Sequence, residues 1–387
     1  MARSDPRMNA PGLSHPRAGL SARKVKVALI VGALPPVRCG VGDYSRRLIK
    51  SLDLARVDLR IITDEKACSE GFNQAAVFEK VKGGWGVHGV FEAARFIRRW
   101  RPDVAHIQYP SVAFYAHKSP LFLPVLLRFM GIRVVATLHE PVFKNRSGFL
   151  LLFGLRAIVF LEDFSARIRE MGWMRKALLR RVRIERIDAG PSIERVAATS
   201  ADIARIRAAC RVRENEIAAL YFGFAYPAKG LEYLLRALKD VAIKLVLACD
   251  LSLADAYQAR ILRLIEDEGL SDRVVVTGYL PEKELSQLIS AADFTIFPFT
   301  AGMRVSNSSY LVARAHAKLI VTTSTEKKGY VATQDTVFCA PGSAEALASA
   351  IKEAAKHLNS SRSAPADDPW GDIGARHQKL YRDLASP

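Results

Sequence analysis

Lys24-Val-Lys-Val-Ala-Leu-Ile-Val31, followed at once by Gly32-Ala-Leu-Pro-Pro-Val-Arg-Cys-Gly-Val-Gly42, decides the fold. The first stretch is short and almost continuously apolar. Such a run reads as a strand buried on both faces of a parallel sheet. The second is turn-rich, and after it residues 43–52 carry apolar side chains at helical spacing. Strand, glycine-rich turn and helix in that order open an α/β unit.

The same rhythm continues outward. Strands are expected at 58–63, 104–108, 133–139, 157–161 and 182–187. A helix is expected at 89–100, where Arg101-Pro-Asp103 ends it. Ile187-Asp-Ala-Gly-Pro-Ser-Ile193 reads as a hinge, since Gly-Pro breaks both kinds of element. The pattern then restarts, with strands expected at 217–222, 243–249, 274–277, 294–297 and 319–322, and helices at 231–239 and 310–317. Alternating strands and helices make two doubly wound parallel-sheet domains. The division is a flexible leader at 1–23, one domain at 24–190, a second at 191–366 and a final segment at 367–387. Ala364-Pro-Ala-Asp-Asp-Pro369 reads as a loop and 370–384 as a last helix.

Composition bounds the class. The chain has 387 residues, half of them hydrophobic and a quarter charged, which excludes a disordered or collagen-like chain. Five cysteines without a CxxC pair give neither a disulfide framework nor a zinc site, so a reducing compartment is expected. The N-terminus carries Arg, Pro and Ser without an apolar run, unlike a secretory signal. The longest apolar stretch, 149–161, is broken by Arg156 and falls short of the roughly 18–20 residues of a spanning helix. The expectation is a soluble cytoplasmic chain that can rest on the inner face of a membrane.

The net charge of +18 is lopsided. Of the 57 Lys and Arg, 33 lie before residue 191, as do only 16 of the 39 Asp and Glu. The second part is therefore close to neutral. The densest run, Arg175-Lys176, Arg180-Arg181, Arg183 and Arg186, follows Met171-Gly-Trp-Met174. Cations beside Trp and Met suit an anionic bilayer surface or an anionic acceptor. The plain alternative is a solvated helix. No zinc-finger spacing or aromatic RNA-binding signature points to nucleic acid.

In open parallel sheets ligands bind beyond the C-terminal ends of the strands, which singles out a few loops. In Cys39-Gly-Val-Gly-Asp43, Gly40 and Gly42 let backbone approach a ligand at a helix start, where free N–H groups favour anions. The alternative there is a tight turn with Asp43 as helix cap. Lys229 stands in a strand-to-helix loop, placed to neutralise a diphosphate or merely solvated. Ser306-Asn-Ser-Ser309 opens a helical stretch, to cap it or to cradle phosphate oxygens. His139 ends a strand beside Glu140. It is either a proton carrier and hydrogen-bond donor or a structural residue. His106 reads as structural. There is no HExxH, GxSxG or P-loop, and no Cys/His cluster with metal-ligand spacing.

Taken together these segments resemble the family-4 glycosyltransferases of the GT-B fold. The carriers are Pro35-Pro36 with Arg38-Cys-Gly-Val-Gly-Asp-Tyr44, Arg101-Pro-Asp-Val-Ala-His-Ile-Gln108, Val135-Ala-Thr-Leu-His-Glu-Pro141 and Phe222-Gly-Phe-Ala-Tyr-Pro-Ala-Lys-Gly-Leu-Glu232. Val276-Thr-Gly-Tyr-Leu280, Ala291-Ala-Asp293 and Pro298 continue the series, and Trp370 opens a helix like the one that crosses back onto the first domain. The resemblance spans about residues 24–385. It implies sugar transfer from a nucleotide-sugar, with retention and with no metal or cofactor. The donor would sit on the second domain and a lipid-linked or glycan acceptor on the first. By position, Lys229 would hold the donor diphosphate, with Gly223, Phe224, Ser308, Ser309 and Arg304 around it. Gly40, Gly42, Asp43 and Gln108 would line the acceptor and phosphate side, and His139 would face the transferred sugar as the catalytic residue. The chain departs from the family at Phe224, where many members have Arg. It also lacks the Glu-x7-Glu motif, since Gly302-Met-Arg-Val-Ser-Asn-Ser-Ser-Tyr-Leu-Val-Ala-Arg314 contains no acid. Ala317 and Leu319 stand where Gly and Pro are expected. The reading is a hexosyltransferase; the alternative is a catalytically inactive GT-B partner or sugar-binding subunit.

Overall fold

A computed structural model describes residues 23–386 except 69–71, 73–75, 116, 141–147, 361 and 363–367. The expected leader, up to residue 22, and most of the loop expected at 364–369 lie outside the described residues. The first sheet contains β1 (Val25–Val31), β2 (Val57–Asp64), β3 (Val77–Val81), β4 (Val104–Tyr109), β5 (Arg133–Leu138), β6 (Ala157–Phe160) and β7 (Arg183–Arg186). Their order is β3-β2-β1-β4-β5-β6-β7, and every pair is parallel. The second sheet contains β8 (Ala218–Phe222), β9 (Lys244–Ala248), β10 (Val274–Val276), β11 (Phe294–Phe297), β12 (Leu319–Thr323), β13 (Gly329–Val331) and β14 (Thr336–Cys339). Its order is β10-β9-β8-β11-β12-β14-β13, parallel except for β13 against β14.

Every residue of β8, β9, β11 and β12 is buried, which is why those strands read as unbroken apolar runs. Three strands were not expected. β3 is an edge strand with one fully buried residue, so Val-Phe-Glu-Lys-Val lacks an apolar run. β13 and β14 are three and four residues long and follow a polar turn.

The first helix spans Gly40–Ser51, three residues earlier than expected. Cys39 is its N-cap, and the Asp43 backbone N–H donates to the Cys39 carbonyl at 2.9 Å. Asp43 is therefore not the cap, and Gly40 and Gly42 belong to the first helical turn. Gly42 permits close packing there: a Cβ would stand 2.6 Å from the Ala33 carbonyl oxygen.

One face of the first sheet is covered by helices Val87–Trp100, Leu123–Phe129, Gly148–Gly154 and Trp173–Leu179. The other is covered by Gly40–Ser51 and by the C-terminal helix Trp370–Ala385, whose Trp370, Ile373, Leu380, Tyr381 and Leu384 join the core of the first domain. The chain thus leaves the second domain and returns to the first. The two crossings touch where the Trp370 indole N–H donates to the Pro191 carbonyl at 2.8 Å.

Candidate functional site

The strand order reverses between β1 and β4 in the first sheet and between β8 and β11 in the second. Loops leaving adjacent strands in opposite directions open a crevice at such a point. The loops after β1 and β4 are knitted together: the Cys39 Sγ and Ser111 Oγ are 3.6 Å apart, and a Cβ on Gly32 would meet Ser111 at 2.7 Å. The loops after β8 and β11 are joined in the same way. Thr300 N–H donates to the Ala228 carbonyl at 3.1 Å, and Gly230, at φ 68°, lies under the Pro298 carbonyl, where a Cβ would be 2.2 Å from the oxygen. The two domains meet across the crevice. A Cβ on Gly40 would stand 3.9 Å from the Phe224 ring, and Arg38 pairs with Asp250 while its guanidinium lies 4.3 Å from the Tyr279 ring. Arg46 pairs with Glu282.

On the second domain, Gly223 takes φ 128°, a conformation that favours glycine, and turns the chain out of β8. Phe224 is exposed at the rim. Lys229 is half-buried, its ammonium 4.7 Å from the Phe299 ring and 5.1 Å from the Tyr226 ring. The ammonium makes no hydrogen bond or ion pair with any described residue. Burial lowers its pKa to about 8, opposed by the charge of Glu140 facing it from the first domain.

On the first domain, His139 follows β5, with its backbone N–H donating to the Tyr109 carbonyl at 2.8 Å. Its Nε2 is 2.8 Å from Gln108 Oε1, and its ring packs edge-on against Tyr44 at 4.9 Å. Burial first, then the nearby Arg304 and His377, lower its pKa to about 3, so the imidazole is neutral at ordinary pH. Gln108 is fully buried, and its Nε2 is 3.2 Å from His106 Nε2. Burial raises the Asp43 carboxyl to about 6, with Arg46 opposing.

Arg304 reaches the first domain, Ser308 meets the segment expected as the hinge, and Ser309 follows it in helix Ser308–Ala315. Arg304 donates to Glu162 Oε1 through Nε at 2.8 Å and through a terminal nitrogen at 2.7 Å, and Ser306 Oγ donates to Glu162 Oε2 at 3.0 Å. The Ser308 and Ser192 hydroxyls are 2.6 Å apart. Asn307, the N-cap of helix Ser308–Ala315, instead accepts at Oδ1 from the Arg304 backbone N–H at 2.7 Å. The helix ends near Ala317, at φ 54°, a backbone that favours the glycine expected there. Glu162 escaped the sequence reading, although it directly follows an expected strand at 157–161; Arg38 and Tyr44 entered it only as carriers of the resemblance, without a role. Among the described residues, no group of three His, Cys, Asp or Glu is placed to hold a metal ion.

Residues 39–224 match the family model for Glycosyltransferase Family 4, and residues 216–357 the model for Glycosyl transferases group 1. No curated protein matches the chain in sequence. Among solved structures, it is similar to the catalytic domain of starch synthase IV from Arabidopsis thaliana bound to ADP and acarbose, with a TM-score of 0.70 and 11% identity over 94% of this chain and 100% of that one. It is similar to sucrose-phosphate synthase from Thermosynechococcus elongatus, with a TM-score of 0.65 and 17% identity over 94% and 95%. A third is the Anabaena protein HepE in complex with UDP and glucose, with a TM-score of 0.62 and 14% identity over 93% and 97%. At these identities the likeness establishes the fold, GT-B.

Proposed function

The chain belongs to the glycosyltransferases, its residues 39–357 spanned by the two family models, and we propose that it moves a hexose from a nucleoside-diphosphate sugar to a lipid-linked or polysaccharide acceptor. Lys229 carries this reading. It is a half-buried ammonium at the switch point of the second sheet, facing the crevice without an ion-pair partner among the described residues. A cation so placed favours an anion that arrives with charge to share, and a diphosphate is such an anion. Bound there, it would supplement Glu140 as counterion and hold Lys229 protonated. As the sugar–phosphate bond breaks, negative charge grows on the diphosphate beside an ammonium that needs no reorganisation.

His139 is neutral, so it acts as a hydrogen-bonding group toward the transferred sugar rather than as an acid. Gln108 holds one ring nitrogen and leaves the other for a sugar hydroxyl. On this reading retention and independence of metal and cofactor follow the family pattern. The acceptor side belongs to the first domain, formed by the loop after β1 and the first turn of helix Gly40–Ser51. Exposed Phe122, Phe129, Phe153, Trp173 and Met174 lie on neighbouring helices of that domain. Arg128 lies over the Phe153 ring at 5.6 Å. Apolar rings among cations support contact with an anionic membrane, where a lipid-linked acceptor would be met at the cytoplasmic face.

The test is calorimetric titration of the purified chain with nucleoside diphosphates and nucleotide-sugars. One nucleotide is expected to bind, and Lys229→Ala to weaken it about ten- to a hundredfold, the range for hydrogen bonds to charged groups. Equal affinity in the variant, or undiminished transfer, would remove Lys229 from the donor site.

A further inference from the structure

We propose that Tyr381, on the C-terminal helix, is a positioning residue that sets which ring nitrogen of His139 carries the proton, acting through His106 and Gln108. The inference deepens the reading of His139 given above. Four side chains form a file from the crevice into the core: His139 Nε2 to Gln108 Oε1 at 2.8 Å, Gln108 Nε2 to His106 Nε2 at 3.2 Å, and His106 Nδ1 to the Tyr381 hydroxyl at 2.6 Å. Gln108, His106 and Tyr381 are each fully buried, so water does not compete for these bonds.

An amide accepts at its oxygen and donates at its nitrogen, and a neutral imidazole has one nitrogen of each kind. With the Gln108 oxygen facing His139 and its nitrogen facing His106, these constraints give the file one direction. Gln108 Oε1 accepts, so His139 carries its proton on Nε2. The Gln108 amide N–H then needs a lone pair on His106 Nε2, so His106 carries its proton on Nδ1 and donates to the Tyr381 oxygen. The Thr137 hydroxyl, 2.8 Å from the same His106 nitrogen, shares its single lone pair with the amide. The charge of Arg304, which helps to lower the His139 pKa, favours the neutral ring that this arrangement requires.

Tyr381 is the inner end of the file. Without its oxygen, His106 has no acceptor for an Nδ1 proton among the described residues. Its proton then moves to Nε2, where the Thr137 oxygen accepts it. The amide loses its acceptor, turns over, and presents N–H groups to His139 Nε2, which must then carry its proton on Nδ1. The sugar would meet an N–H where it had met a lone pair.

The neighbouring His377 stacks on His106, with centroids 5.5 Å apart, but stands outside the file: its Nδ1 faces the Ile373 carbonyl at 2.8 Å. It therefore serves as a control for packing. The experiment is ring-nitrogen NMR of the full chain with 15N-labelled histidines, eight in all, with His139 assigned through loss of its signals in His139→Gln. The unaltered protein is expected to show His139 protonated on Nε2 and His106 on Nδ1. Tyr381→Phe is expected to populate Nδ1-protonated His139, and to lower kcat about tenfold with donor KM within about twofold. His377→Phe is expected to leave the His139 form unchanged. His139 protonated on Nδ1 in the unaltered protein overturns the proposal, and that spectrum requires no variant to fold. So does an unchanged tautomer in folded Tyr381→Phe, or an equal change in His377→Phe. A changed tautomer with an unchanged transfer rate upholds the relay and removes His139 from the reaction.

Discussion

Lys229 gives the site a pH signature. The group is charged below about 8 and neutral above it, whereas its ordinary value is 10.5. A diphosphate prefers the charged form, so nucleotide affinity is expected to hold between about pH 6 and 7. It should then fall above pH 8, by at most about tenfold per unit. Calorimetry across that range checks this, and Lys229→Arg, with a guanidinium that stays charged, should flatten the fall. Folding is linked to the same group. The unfolded chain holds this proton to about 10.5 and the folded chain to about 8, so the contribution of Lys229 to stability rises with pH between those values. His139, at about 3 when folded and 6.5 when unfolded, adds no step to nucleotide binding above about pH 5 but makes stability rise with pH between about 3 and 6.5. The positions of Lys229 and His139 in the fold were legible because each stands in a recognisable strand-to-loop segment. The partners of Arg304 and Ser308 were not, since Glu162 and Ser192 lie 142 and 116 residues away in the chain.

Elements with unbroken apolar runs were legible, and those that depend on a neighbour were not. β3 is recognisable only beside β2, where Glu79 pairs with Arg60 at 3.0 Å. The early start of helix Gly40–Ser51 depends on Gly42 fitting under the Ala33 carbonyl. The C-terminal helix shows the same dependence. A Cβ on Gly374 would stand 2.4 Å from the Ser51 carbonyl oxygen, so Gly374 sets how closely the two helices approach. Gly374→Ala is expected to destabilise the protein by about 1–3 kcal/mol, as overpacking does. Because that helix carries Tyr381, it should also loosen the bond to His106. Denaturant unfolding measures the first effect; an unchanged midpoint would mean that the helices separate at little cost.

At the scale of the molecule, charge and apolar exposure coincide. The first domain holds most of the excess cations, and on its helical face Phe129 and Trp173 are 80% and 79% exposed. Among the described residues, no helix is long and apolar enough to cross a membrane. The contact proposed above is with an anionic membrane surface, through these cations and rings. Vesicles containing anionic lipid should retain the chain at about 0.05 M salt and release much of it at 0.5 M, as screening shortens the reach of each cation. Trp173→Ser with Phe129→Ser should weaken retention at both salts. Co-sedimentation checks this, and equal retention by neutral vesicles would count against the cationic surface. The contacts between domains are of two kinds. Arg38 and Asp250 are both well exposed, and such pairs contribute little. Glu162 is nearly buried and receives three donors, so it is the firmer tie across the crevice.

The sequence by itself determined two α/β domains, their strand-end loops and the GT-B resemblance. Those rest on periodicity and turn residues, which act over a few positions in the chain. Tertiary structure alone decided that Glu162 holds Arg304 from the opposite domain and that the C-terminal helix delivers Tyr381 to His106, 275 residues earlier. It also decided that the Lys229 ammonium rests against two aromatic rings, without a hydrogen-bond or ion-pair partner among the described residues. These features depend on which distant side chains come within a few ångströms once both sheets are packed, and local pattern does not encode that distance.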